Sequence, residues 1–376
     1  MAMRIALFCH TLLSDWNHGN AHFLRGICAE LIERGHEVRV FEPHDAWSLE
    51  NLLRHEGRGS IERLRTVYPF LDPVRYELAT LDLDAALDGV DLAIVHEWNP
   101  PELVARLSRR RLRGNRTRLL FHDTHHRMVT APDAMARYDL SGFDGVLAFG
   151  AILRDLYLDR GLANKAWVWH EAADTRVFRP LPFEGEKQSL VWIGNWGDEE
   201  RTAELREFLF EPCRALQLEG TVYGVRYPQE ALEQLDRFGL RYRGWIPNFE
   251  VPSVLVRHRL SVHVPRRPYV EALPGIPTIR PFEVMACGVP LVSAPWNDCE
   301  GLFVEGRDYL VARDGTAMRD LIRMLLAEAD LARSIAESGR RRILERHTCA
   351  HRVDELLAIA EELGVTTGRE GANERT

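Results

Sequence analysis

Short apolar runs alternate with amphipathic stretches along most of this chain. Arg4-Ile-Ala-Leu-Phe-Cys9 is an apolar run of strand length, followed by a polar loop, Ser14–Asn20. Apolar positions at helical spacing then run over Ala21–Arg34, Gly35 stops them, and Glu37–Phe41 reads as a second strand. Strand, glycine-bearing loop, helix, glycine and strand make a βαβ unit, which predicts a parallel sheet. Further strands are predicted at Asp91–His96, Arg118–His122, Gly145–Phe149 and Lys165–Trp169. After a polar break at Pro180–Lys187 the pattern restarts. Its strands are Leu190–Ile193, Gly220–Tyr223, Leu240–Arg243, Leu260–Val264 and Pro290–Ser293. Leu321, Met324 and Leu325 place one or two helices over Met318–Arg346, and His351–Leu363 reads as a last helix. The polar tail 364–376 is expected to be disordered. The fold class is therefore α/β, with parallel-sheet domains over 1–182 and 187–345 and a final helix over 346–363. Ligands of such sheets sit at the carboxyl ends of the strands, so two facing sheets place the site in the cleft between them.

Composition narrows this picture. A length of 376 residues suits two domains, and a net charge of −8 argues against a general nucleic-acid binder. Lys165 and Lys187 are the only lysines, so a phosphate site would use arginine. Cys9, Cys28, Cys213, Cys287, Cys299 and Cys349 form no C-x-x-C pair, which reads as reduced thiols in a cytoplasmic protein. No apolar run is long enough to span a membrane.

Four stretches could carry chemistry. Gly19-Asn20-Ala21-His22 opens the first helix. Gly19 would let the backbone approach a ligand, and the ordinary alternative is a helix cap by Asn20. His122-Asp-Thr-His125-His126-Arg127 follows a buried strand. Imidazoles there suit a general base, and no matching acid cluster supports a metal site. Gly194-Asn-Trp196-Gly-Asp-Glu-Glu-Arg201 repeats the strand, loop and helix logic in the second half. Gly194 would permit close approach and Arg201, one turn into the helix, would reach a diphosphate. Last, Pro274–Val292 reads as a loop, a short helix opening at Pro281, a stop at Gly288 and a buried strand. Free N–H groups at that helix start, beside Arg280 and Glu283, suit a phosphate and a pair of hydroxyls. Its ordinary alternative is a surface ion pair of Arg280 with Glu283. Asp82-Leu-Asp84 reads as a solvated helix start, and Arg106–Arg118 as a solvated helix end with an anionic acceptor or a membrane surface as the minority reading.

Three of these blocks resemble the GT-B glycosyltransferases, in particular family 4 and its CgeB-like (spore maturation protein) branch. Glu171-Ala-Ala-Asp174-Thr-Arg-Val-Phe178-Arg-Pro180 is similar to the family's interdomain segment. Arg280-Pro-Phe-Glu283-Val-Met-Ala-Cys-Gly288-Val-Pro resembles its donor-binding block. Gly19–His22 with Arg25 and Arg34–Val38 is similar to the first βαβ unit of the CgeB-like branch. The resemblance implies two facing Rossmann-like domains, with the last helix crossing back to brace the first. It implies a nucleotide-diphosphate sugar held by the second domain, an acceptor held by the first, no required cofactor and no metal. Glu283 would hold ribose hydroxyls. Arg280, Arg201 and the N–H groups around Thr278 would stabilise the diphosphate, with Gly194 and Trp196 beside them. His122 would be the active-site histidine, with His125 and His126 as rivals near the cleft loop.

One departure stands out. Family 4 commonly carries a second glutamate eight positions before the one matching Glu283, and that position here is Gly275, so the donor sugar would be held instead by backbone amides of Gly275–Thr278 or by Glu271. The reading that follows is a cytoplasmic, hexosyltransferase-type glycosyltransferase acting with retention on an unidentified glycan, small molecule or protein acceptor. A sugar-nucleotide epimerase and a non-catalytic nucleotide- or partner-binding protein are the competing readings.

Overall fold

The computed structural model describes residues 2–365. Seven strands form the first sheet: β1 (Arg4–Phe8), β2 (Glu37–Pro43), β3 (Val74–Tyr76), β4 (Leu92–His96), β5 (Arg118–Asp123), β6 (Gly145–Ala148) and β7 (Ala166–Val168). They are parallel and lie in the order β3-β2-β1-β4-β5-β6-β7. The second sheet holds β8 (Gln188–Ile193), β9 (Gly220–Tyr223), β10 (Leu240–Tyr242), β11 (His258–His263), β12 (Leu291–Ser293) and β13 (Leu310–Val311). It is also parallel, in the order β10-β9-β8-β11-β12-β13.

Parallel strands covered by helices on both faces need apolar side chains on both faces. β4 and β6 are accordingly buried at every position. β3 and β13 were not anticipated. They are edge strands of three and two residues, too short to leave a periodic signature.

Each sheet reverses its strand order once, between β1 and β4 in the first and between β8 and β11 in the second. The carboxyl ends at a reversal splay apart and leave a crevice. The loops leaving these ends run toward each other, so the two crevices form the opposing walls of one cleft.

The helix Cys349–Glu362 crosses back from the second domain to the first. Val353, Leu356, Ile359 and Ala360 join a core that includes Leu24, Ile27 and Leu31. Trp169 Nε1 donates to the Arg352 carbonyl at 2.8 Å. Gly26 lets the helices close, since a Cβ there would lie 2.5 Å from Cys349 Sγ. The order extends past the predicted end of this helix: Val365 donates to the Ala360 carbonyl at 2.9 Å and packs into the same core. The remainder of the expected tail, 366–376, lies outside the described residues.

Part of the basic stretch is engaged with protein. Arg110 pairs with Asp84 at 2.6 Å, and Arg111 and Arg118 pair with Asp144 at 3.0 and 2.9 Å. Asp82 caps the helix Leu83–Ala86, accepting from the N–H groups of Asp84 and Ala85. All six cysteines are free, with Cys299 alone exposed. Among the described residues no helix is long and apolar enough to cross a membrane.

Candidate functional site

The cleft between the domains encloses about 780 Å³. Its second-domain wall is built on the loop after β8, the loop after β11 and the start of the helix Ile279–Ala286. Arg201, Arg266 and Arg280 come from these three segments and share that wall. Arg201 lies just before the helix Thr202–Leu205, behind a turn of 3₁₀-helix at Asp198–Glu200, and not one turn into a helix as expected. Its guanidinium donates to the Val264 and Asn195 carbonyls and lies 5.0 Å from the Trp192 ring centroid. Burial, followed by the charges of Arg266 and Arg280, pulls its pKa down to about 9. Arg266 is offset by Glu200 at 2.6 Å, and Arg280 by Glu283. Among the described residues Arg201 has no carboxylate partner, and its Nε has no hydrogen bond. Three crowded guanidinium groups with one uncompensated charge make an anion site.

The helix behind Arg280 starts two residues earlier than predicted, at Ile279, with Pro281 inside its first turn. Thr278 sets this start. It occupies the N-cap position with φ 61° and ψ −177°, a backbone region costly for a β-branched residue. That turn brings Thr278, Ile279 and Arg280 to the cleft wall. The first N–H groups of the helix have no partner within it and carry its positive dipole end.

Glu283 is placed differently from the expectation. It sits one turn further in, is fully buried and does not line the cleft. The ion pair with Arg280 exists, but it lies in the interior and not at the surface. Burial pushes the Glu283 carboxyl up to about 7, against the pull of Arg280, and neither oxygen has a well-formed hydrogen bond. Its direct effect is on Arg280, whose guanidinium it holds.

The histidines separate into two groups. β5 runs on to Asp123, so His122 lies inside the strand and not at its end. Its ring is wholly buried against Trp169 at 4.9 Å and His96 at 5.2 Å, and both nitrogens lack partners. Burial holds it down at about 3. His125 and His126, on the following loop, do line the cleft. Their rings lie 4.0 Å apart. His126 Nδ1 is 2.9 Å from Thr130 Oγ1, and its Nε2 faces Glu200.

Other predicted site residues sort in the same way. Gly19, Asn20 and Gly194 line the cleft, whereas His22, Trp196 and Gly275 do not. His22 Nε2 accepts from the Asp174 N–H at 3.2 Å and its ring packs on Phe178, so it fastens the interdomain segment. Trp196 packs with Phe210 and Tyr227 in the second core. Gly275 has φ 88°, and a Cβ there would lie 2.5 Å from Glu300 Oε1. Glu300 thus fills the space that a side chain at 275 would need. Its carboxylate accepts from the Ala151 N–H at 2.8 Å and pairs with His170 at 3.1 Å, both first-domain partners.

Several cleft residues were not marked as site residues by the sequence. Trp47 and Trp98 come from separate loops, Arg266 follows β11, and Glu171 lies in the interdomain segment. Glu171 is 6% exposed, and burial, with Glu283 adding to it, pushes its carboxyl up to about 8. A conserved-looking spacing could not have marked them, because only the fold brings them together. Among the described residues no group of three or more His, Cys, Asp or Glu side chains is arranged to hold a metal ion.

Comparison with known proteins agrees with this architecture. Residues 201–358 match the family model described as glycosyl transferase-like. No curated protein sequence matches the chain. Among solved structures, Anabaena HepE in complex with UDP superposes with a TM-score of 0.66 at 14% identity, over 97% of this chain and 100% of that one. Sucrose-phosphate synthase from Thermosynechococcus elongatus gives 0.62 at 15% identity, over 96% and 99%. A glycosyltransferase from Rickettsia africae gives 0.64 at 10% identity, over 96% and 98%. The fold is that of the GT-B glycosyltransferases.

Proposed function

We propose that this protein is a metal-independent glycosyltransferase that moves a sugar from a nucleotide-diphosphate donor to an acceptor hydroxyl. The observation that carries the reading is the convergence of Arg201, Arg280 and the N-terminus of the Ile279–Ala286 helix on one cleft wall. In the transfer, the bond between the sugar's anomeric carbon and the diphosphate oxygen breaks, and a bond to the acceptor oxygen forms. Charge grows on the leaving diphosphate. Fixed guanidinium and N–H groups stabilise it without reorganising at the moment of reaction. Glu283 acts through Arg280, holding it in place. His126, neutral at pH 7 because burial lowers its pKa, is the base that suits the acceptor proton. The HepE structure contains UDP on the same fold, which supports a nucleoside diphosphate as the ligand of this wall.

A thermal-shift screen of nucleotide sugars in EDTA tests this. A bound donor stabilises the fold by mass action. Arg201→Ala should abolish the shift of the active donor, and incubation with that donor and candidate acceptors should release the nucleoside diphosphate. If no nucleoside diphosphate or nucleotide sugar raises the melting temperature, the reading fails.

A further inference from the structure

The two walls of the cleft differ in charge. Its lining cations, Arg201, Arg226, Arg266 and Arg280, all belong to the second domain. The first-domain wall has no lysine or arginine. Its histidines are held neutral by burial: His18 is driven well below its ordinary value, and His125 down to about 2. Its one carboxyl, Glu171, is shifted toward the protonated form. Arg127 stacks on Trp98 with its charge centre 4.5 Å from the ring centroid, but it lies outside the lining and is paired with Glu97.

Two tryptophans supply apolar area on this neutral wall. Trp47 and Trp98 stand edge to face, with ring centroids 6.3 Å apart. His10 packs on Trp47 at 4.7 Å and His125 on Trp98 at 5.2 Å, so both rings are held from the side.

The first-domain lining also carries buried polar groups with no partner. Asn20 is 8% exposed and occupies the N-cap position of the first helix, yet its side chain makes no capping bond. Both its amide oxygen and its nitrogen are unpaired. His18 Nε2 and His125 Nδ1 are also unpaired. Buried donors and acceptors without partners are costly, and their collection on one wall points to a ligand that completes them.

The resemblance puts the acceptor on the first domain; from the chemistry of this wall we infer that the acceptor is an uncharged carbohydrate. A sugar ring presents C–H groups that stack on tryptophan and hydroxyl groups that pair with amide and imidazole. A phosphorylated acceptor or a nucleic acid would find no cation here to offset its charge. The inference rests on the donor lying against the opposite wall, as proposed above.

Saturation-transfer difference NMR on the full chain with excess UDP tests it. The probes are the methyl glycosides of glucose, galactose, mannose and N-acetylglucosamine, set against glucose 6-phosphate and a short DNA duplex. At least one neutral glycoside should bind. Trp98→Ala should weaken it at least tenfold and Trp98→Phe about threefold or less, with UDP affinity unchanged. Asn20→Ala, which removes no bond present in the fold, should weaken it without lowering the melting temperature. Preference for the phosphorylated sugar or DNA, absence of binding by every neutral glycoside, or indifference to both Trp98→Ala and Asn20→Ala would overturn the assignment. Neutral glycosides that bind while UDP does not would support this wall's role and defeat the donor reading instead.

Discussion

His126 Nε2 and Glu200 Oε2 face each other 3.6 Å apart across the interdomain cleft. One belongs to the loop after β5 and the other to the turn after β8, so the two sheets meet in this pair. The distance is too long for a good hydrogen bond and too short to admit an oxygen between the two atoms. Glu200 favours protonated His126, whereas burial and Arg266 oppose it. Activity that needs the neutral imidazole should fall on the acid side. Glu200→Gln removes the group that raises the histidine, so the acid limb should move to lower pH. A kcat–pH profile checks this, and His126→Ala should lower kcat by about 10²-fold or more, the usual range for a general base.

Gly275 and Glu300 are coupled by space. Gly275→Ala places a Cβ at φ 88° and 2.5 Å from Glu300 Oε1. It should destabilise by roughly 1–3 kcal/mol from backbone strain, with a further contribution from the clash. Glu300→Ala should cost about 1 kcal/mol by uncapping the helix Ala151–Asp159. The double variant should be less destabilised than the sum, because the clash vanishes with the carboxylate. Denaturant unfolding of the four proteins measures the coupling.

Asp15 and Arg25 form an ion pair of 2.7 Å, with side chains 2% and 1% exposed. Arg25 Nε also donates to the Leu12 carbonyl at 2.7 Å. Asp15→Ala strands the guanidinium without a counter-charge, which should cost about 3–5 kcal/mol. The expected signature is a lower denaturation midpoint at unchanged slope.

Stability should decline from pH 6.5 to 8. Glu171 and Glu283 are raised from an ordinary value of 4.5 to about 8 and about 7. A carboxyl raised by folding contributes its full stability below its unfolded value and loses it as pH rises through the folded one. Buried histidines such as His122 and His263, both lowered to about 3, act in the opposite sense and only below their ordinary 6.5. The window above 6.5 therefore reports the carboxyls. Melting temperatures across it should fall less in Glu171→Gln than in the parent.

The two sheets were legible because parallel strands bury both faces and so appear as continuous apolar runs, as at Leu92–His96. The short edge strands β3 and β13 have no such run. Arg201 and Arg280 could be marked from their neighbours, since each lies beside a glycine loop or helix start that follows the strand pattern. The helix start itself was misread. Pro281 looked like a first helical residue, but Thr278 turns the chain with a positive φ that no residue type announces. His122 looked like a strand-end residue because the apolar run seems to stop there. Asp123 extends the strand by pairing with Ala148 of β6 and carries the imidazole inside. Trp47, Trp98 and Glu171 lie far apart in sequence, and their meeting depends on how the loops of two sheets close.

The crossing helix Cys349–Glu362 has a consequence for how the protein is made. The first domain emerges from the ribosome before the second, and domains fold largely in that order. Yet part of the apolar face of the helix Ala21–Glu33 is covered by Val353, Leu356 and Ile359 of the crossing helix. The first domain is therefore completed only after the second has been made, and a nascent chain holds part of that face uncovered until the crossing helix has been added.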